Sequence, residues 1–291
     1  MRDRELLLLA LMFVGGASIS TCAFAGDFVG PPLLVVPADP ELRYAGARTS
    51  LLAIRYDDSV DELVDVTRET RFKSLTPEIC QVSPRGIVTA IADGMGSLSV
   101  RWNEHTVTAH VLIRDSAVTR PFHFERDIVP VLSRYGCNAS GCHGKAEGQN
   151  GFKLSVFGFD PAADFMALLQ ESQGRRVSLA RPAESLLLTK ATGRVPHGGG
   201  ARLPMDNVEY QLLRNWIAAG APFGHADAPQ AVSVKLYPSA RRMRFGESQQ
   251  LQLTATYSDG EKIDVTPLAK FQSNNDGLAT VDEHGHVTVG N

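Results

Sequence analysis

Apolar and polar positions follow two different periods along this chain, and the change of period divides it into three parts. Near both ends the pattern alternates. "SLLAIRY" at 50–56 and "QLQLTATY" at 250–257 are short, rich in β-branched residues and bounded by Gly, Asp, Asn and Pro clusters, which predicts strands at the spacing of a β-sandwich. Between about 120 and 228 the apolar residues recur at helical spacing. Phe124, Ile128, Val131 or Leu132 and Tyr135 mark a first helix that Gly136 stops. "DNVEYQLLRNWIAAGAP" predicts a last one, with Asp206 as N-cap, Glu209 completing a capping box, an apolar face of Val208, Leu212, Trp216 and Ile217, and Gly220 with Pro222 closing it. A strand-like "GFKLSVFGF", a helix over 161–171 and a helix in "PAESLLLTK" are expected between them.

The two alternating parts are copies of one another. "VDVTRETRFKSLTPEICQVSPRGIVTA" at 64–90 returns as "IDVTPLAKFQSNNDGLATVDEHGHVTV" at 263–289 with an offset of 199, matching Asp65-Val66-Thr67 to Asp264-Val265-Thr266, Phe72 to Phe271 and Gly86 to Gly285. Upstream the offset reads as 201, pairing Pro37 with Pro238 and Tyr56 with Tyr257, and the difference is assigned to the turn "DDSVDEL" being two residues longer than "SDGEK". "YSDG" at 257–260 is a hairpin turn signal. The proline-led first strand, "Y-x-D-G", "D-V-T", the "F-x-S" strand and "V-D-x-x-G-x-V-T" resemble the bacterial Ig-like domain of group 2, known from invasin- and intimin-type surface proteins. The resemblance implies an all-β sandwich over 31–115 and a second, incomplete one over 231–291, with a spacing role as the plain expectation. Asn291 aligns with Ala92, so the counterparts of the last two strands are missing from the second copy, and a longer protein is expected. Cys80 is expected to pack as a small hydrophobe, and His284 and His286 to lie solvated in a turn.

The first residues change the cellular setting. Arg2 and Arg4, an apolar run from Leu6, and small residues at Ala23 and Ala25 predict an export signal over 1–25. No later stretch is apolar enough to span a bilayer, so the protein is expected to be exported, in the periplasm or at the cell surface, with surface attachment left open. With 43% hydrophobic and 21% charged residues and a net charge of −3, the chain has no basic character to suggest nucleic acid. Loss of Cys22 with the signal leaves Cys80, Cys137 and Cys142, an odd number for an exported chain.

"CNASGCH" at 137–143 is the one cluster with chemical potential. A Cys137–Cys142 disulfide is easy in an oxidising compartment but leaves His143 unexplained. A Cys2His2 zinc site would add His143 and His197, though adjacent Cys and His ligands are awkward, and a thiol redox pair lacks the usual C-x-x-C helix start. Haem attachment uses every part: two thiols add across the porphyrin vinyl groups and His143, next after the second, reaches the iron. The usual spacing is C-x-x-C-H, and here four residues separate the thiols.

Helix, C-x4-C-H-G, "SLLLTKATGRVPHGGG" and an "L-L-x-x-W-I-x-x-G-A-P" helix come in the order of a class I cytochrome c, and residues 120–228 resemble the cytochrome-c-like domain of large secreted planctomycete proteins. The resemblance implies a mainly α domain between the two Ig-like ones. It also implies one covalent haem c held by Cys137 and Cys142, His143 as proximal iron ligand, electron transfer with an unidentified redox partner, and no catalytic residue in this chain, any catalytic region lying beyond 291. Relatives place a Met-Pro-Pro turn where this chain has "VPHGGG", so His197 is the first candidate for the distal ligand and Met205 the second. Trp216 and Tyr135 are expected where the first and last helices cross, and Arg175, Arg176 and Arg202 are candidate partners of haem propionates. The rival reading is a non-redox surface or adhesion module whose cysteine loop is structural.

Overall fold

A computed structural model describes residues 7–8, 33–57 and 62–290. Apart from the two-residue strand Leu7–Leu8, the export signal expected over 1–25 lies outside the described residues, as does part of the "DDSVDEL" turn. Two compact units form: one contains both β copies, the other is residues 121–230 with a short piece at 268–270. Among the described residues no helix is long and apolar enough to cross a membrane.

In the first copy, Leu34–Val36, Leu52–Asp57 and Glu62–Asp65 make one antiparallel sheet, and Arg48–Ser50, Ile87–Ala90 and Cys80–Val82 another. Glu41–Arg43, His105–Arg114, Gly94–Trp102 and Arg71–Ser74 form a four-stranded sheet. Alternate residues of the long strand Gly94–Trp102 point inward, so Leu98 and Val100 meet Leu51, Cys80, Val88 and Val111 in a core closed to solvent. Cys80 packs there as a free buried thiol, as its sequence setting predicts.

The second copy repeats the first two sheets with Ala231–Tyr237, Gln252–Tyr257 and Lys262–Asp264, and with Ser248–Gln250, His286–Val289 and Ala279–Val281. The matched residues now have reasons. Asp65 Oδ1 accepts the Thr67 amide while Thr67 Oγ1 accepts the Ala53 amide, and Asp264, Thr266 and Leu253 repeat the arrangement. Gly86 and Gly285 both have positive φ, and a Cβ on either would strike the ring of Phe72 or Phe271. His286 departs from expectation: it lies in a strand, half-buried.

The pairing corrects the upstream alignment. Leu51 and Leu251 both donate to the matching glycine carbonyl, of Gly86 and Gly285, and Tyr56 faces Leu63 as Thr256 faces Lys262. Tyr56 therefore corresponds to Thr256, not Tyr257; Pro37 and Pro238 keep their equivalence, each preceded by a cis peptide. The extra length is split between two loops because the ladder, not residue identity, sets register. The copies also touch reciprocally: the Ser50 amide donates to Asp264 Oδ2 at 2.5 Å, and the Gln250 amide to Asp65 Oδ2. Equivalent residues exchange roles, the signature of a pseudo-two-fold contact.

The middle unit carries four α-helices: α1 (Val129–Arg134), α2 (Pro161–Leu169), α3 (Leu186–Ala191) and α4 (Val208–Ala218). A π-turn, Phe124–Ile128, leads into α1, and Gly136 ends it with φ of 69°. Phe124, Ile128, Leu132, Leu168, Leu188, Trp216 and Ile217 form the core. Three local expectations fail. The last helix starts after Asn207 with no side-chain cap, because Glu209 is turned to the Tyr135 hydroxyl instead. Its buried face is Tyr210, Leu213, Trp216 and Ile217, while Val208 is exposed, a shift set by the position of α1 and its aromatic neighbour Phe124. "GFKLSVFGF" is no strand beyond a Gln149–Phe152 bridge; Phe157 and Gly158, both at positive φ, turn it into a 3-10 turn.

Candidate functional site

The cysteine loop begins where α1 stops. The Cys137 amide donates to the Leu132 carbonyl, and His143 and Gly144 donate back to Cys137 and Ala139, coiling residues 137–144 into consecutive tight turns. Gly144 is enclosed by backbone: a Cβ there would lie 2.2 Å from the Asn138 carbonyl oxygen. The buried Asn138 side chain donates to Ser133 Oγ, tying the loop to α1. The four residues between the thiols lie within these turns, with the Cys142 amide donating to the Ala139 carbonyl.

Cys137 and Cys142 are both free thiols, and no disulfide closes the loop. Burial, then the neighbouring Cys142, pushes the Cys137 thiol up to about 11. Against its ordinary value of 9.0, this leaves on the order of a hundredfold less thiolate near pH 8. Iodoacetamide is therefore expected to label Cys137 of haem-free protein far more slowly than after unfolding in urea, the rate rising with pH through the alkaline range. Equal rates in both states would contradict the partly buried placement of Cys137 against the core.

His143 is held from behind. Its Nδ1 lies 2.9 Å from the Phe152 carbonyl, and its ring rests against the Phe152 ring at 4.4 Å between centroids. This bond makes Nδ1 the protonated nitrogen and leaves Nε2 with no hydrogen bond among the described residues. Burial above all, with lesser electrostatic contributions from His197 and Arg176, holds His143 below the usual imidazole range although the Phe152 carbonyl opposes this, so the ring is neutral at neutral pH.

His197 comes from the loop after α3. The Val195 amide donates to the Thr189 carbonyl and Lys190 Nζ to the Pro196 carbonyl, returning the chain across the end of the helix. Gly199 packs on the His197 ring, and Gly200, at φ of 72°, turns its carbonyl to within 2.9 Å of His197 Nδ1. The two imidazoles stand with centroids 6.2 Å apart and planes 7° from parallel. Met205 lies before α4 and is 48% exposed.

The arginines separate. Arg202 is exposed, with its Nε on the Gly199 carbonyl and its charge felt at Cys137. Arg176 is buried and spent on protein: it donates to the carbonyls of Ala167, Glu171 and Gly151 and to Ser172 Oγ, with its guanidinium 4.5 Å from the Phe152 ring centre. It is a brace behind the Phe152–His143 pair rather than a candidate propionate partner, a role sequence spacing could not reveal because it depends on carbonyls from α2 and two other segments converging. Tyr135 and Trp216 join the ends of the first helix to the last: Asn207 Nδ2 donates to the Tyr135 hydroxyl, and Trp216, in α4, packs on Phe124 before α1 while its Nε1 donates to the Pro222 carbonyl.

Among the described residues, no three His, Cys, Asp or Glu side chains gather as a metal-ion group. The four-ligand zinc arrangement of Cys137, Cys142, His143 and His197 is therefore not assembled, although the histidines face one another.

No curated protein matches the chain. Among solved structures, the crystal structure of the S-layer protein SbsC domains 4 and 5 aligns at 16% identity and a TM-score of 0.22, over 28% of this chain and 50% of that one. Residues 68–112, in the first β copy, match the family model of the bacterial Ig-like domain.

Proposed function

We propose that the middle unit is a cytochrome-c-like domain carrying one haem c for electron transfer, lying in sequence between two Ig-like spacer copies of an exported protein at the periplasm or cell surface. One observation carries this reading: a neutral imidazole, fixed by a backbone carbonyl so that Nε2 is free, directly follows two unbridged thiols in a loop of fixed geometry. Orientation through the second nitrogen is how proteins prepare a histidine to ligate a metal. The donor set would fit a tethered iron porphyrin better than a bare ion, because a porphyrin would supply most of the iron's ligands itself, whereas no three-ligand protein group is present among the described residues.

Cys137 and Cys142 would hold the group by thioether bonds, and His143 would supply its Nε2 to the iron. Bound haem supplies a one-electron ferrous–ferric couple. The chain's own residues do the rest: Phe152 sets the His143 tautomer, Arg176 holds Phe152, and the α1–α4 core fixes the loop ends.

The test is a pyridine haemochrome assay on the full chain exported in a host with c-type haem maturation, beside Cys137→Ala, Cys142→Ala. Covalent haem in the parent and none in the variant is the expected result. No haem in either would leave a structural cysteine loop in a non-redox surface module.

A further inference from the structure

We propose that His197 is the second axial ligand, opposite His143, and that the iron is six-coordinate with two imidazoles in nearly parallel planes; this rests on the haem reading above. A metal–imidazole bond is about 2.0–2.1 Å and the ring centre lies about 1.1 Å behind the bonded nitrogen, so two imidazoles on opposite sides of one metal put their centres about 6.2–6.4 Å apart. The His143 and His197 centres are 6.2 Å apart. Rings in plain contact also reach that spacing, as Trp102 and His105 do at 6.1 Å; what sets this pair apart is that each ring has Nδ1 anchored at 2.9 Å to a backbone carbonyl, of Phe152 and Gly200. Both tethers leave Nε2 as the available donor.

The second tether explains the glycines of "VPHGGG". Gly200 needs its positive φ to aim its carbonyl, and a Cβ on Gly199 would come 3.1 Å from His197 Cε1. Met205 has no comparable preparation and leaves half its surface in solvent.

Two consequences separate this assignment from His/Met ligation. The potential falls below that of a His/Met haem, since thioether ligation raises it. Parallel imidazole planes also give a ferric low-spin centre with an ordinary rhombic electron paramagnetic resonance spectrum rather than the single very large g value of perpendicular planes.

The experiment uses the full exported chain, its covalent haem first established by pyridine haemochrome. The ferric parent and Met205→Leu are expected to give the same rhombic low-spin spectrum, and His197→Ala a high-spin one that added imidazole returns to low-spin. A sulfur-to-iron charge-transfer band in the parent, lost in Met205→Leu, would overturn the assignment while leaving the haem reading intact. So would an unchanged spectrum in His197→Ala. A parent without covalent haem would instead remove the reading and the assignment together.

Discussion

Trp216→Ala is expected to destabilise the middle unit by about 3–5 kcal/mol, the range for a large aromatic removed from a core. Trp216 has no solvent exposure. Its ring packs against Phe124 at 5.6 Å between centroids, and its Nε1 donates to the Pro222 carbonyl at 2.9 Å. One side chain thus joins the turn before α1, the last helix α4 and the segment after it. Its removal leaves a cavity and an unpaired carbonyl, and the surrounding helices are too short to stand alone. That cost is a large fraction of an ordinary domain's stability. Urea denaturation followed by the helical circular dichroism signal reads the effect. Trp216→Phe, which keeps most of the volume but not the hydrogen bond, is expected to lose less. A shift below about 1 kcal/mol in the alanine variant would mean that α4 is not seated as described.

Gly144→Ala is the second large effect, and it is local to the site. The added methyl would sit 2.2 Å from the Asn138 carbonyl oxygen and 2.9 Å from that of Ala139, both backbone atoms inside hydrogen-bonded turns. No rotamer relieves such a clash, so the loop has to open, at about 1–3 kcal/mol by the measure of overpacked cores. Opening moves His143, one residue earlier, away from the Phe152 carbonyl. Loss of most covalent haem and a lower melting temperature of the haem-free protein are expected. Gly141→Ala is the matched control: it lies in the same loop, next to Cys142, with nothing within 4 Å of its added carbon. Its haem content is expected to equal the parent's. Equal loading in the two variants would show that the tight turns are not what presents the thiols and His143.

Arg176 shows how a charge can serve a site without facing it. Buried among three carbonyls and lying over Phe152, it holds the ring and, through it, the carbonyl that orients His143. Buried guanidinium groups persist where their hydrogen bonds are filled in this way.

Period, repetition and short-range chemistry were readable in the chain. Alternation marked the β copies, and the "D-V-T" and Phe–Gly matches followed from contacts within one turn or one strand pair, where sequence neighbours are also spatial neighbours. The three-to-four residue period marked α1, α2 and α4, and C-x4-C-H marked the one reactive loop. Features set by partners distant in sequence were not readable. The face of α4 turned by one position because Phe124 and α1 determine where its apolar stripe must point. Glu209 left the capping box for Tyr135, 74 residues away, and the repeat offset moved because ladder bonds rather than matching letters align the strands. Above all, nothing in "VPHGGG" states a distance to "CNASGCH". Only the packed helices bring His197 to 6.2 Å from His143, with each ring held by its own backbone carbonyl. Local pattern specifies which groups are available, and long-range packing, which depends on the whole core at once, specifies which of them meet.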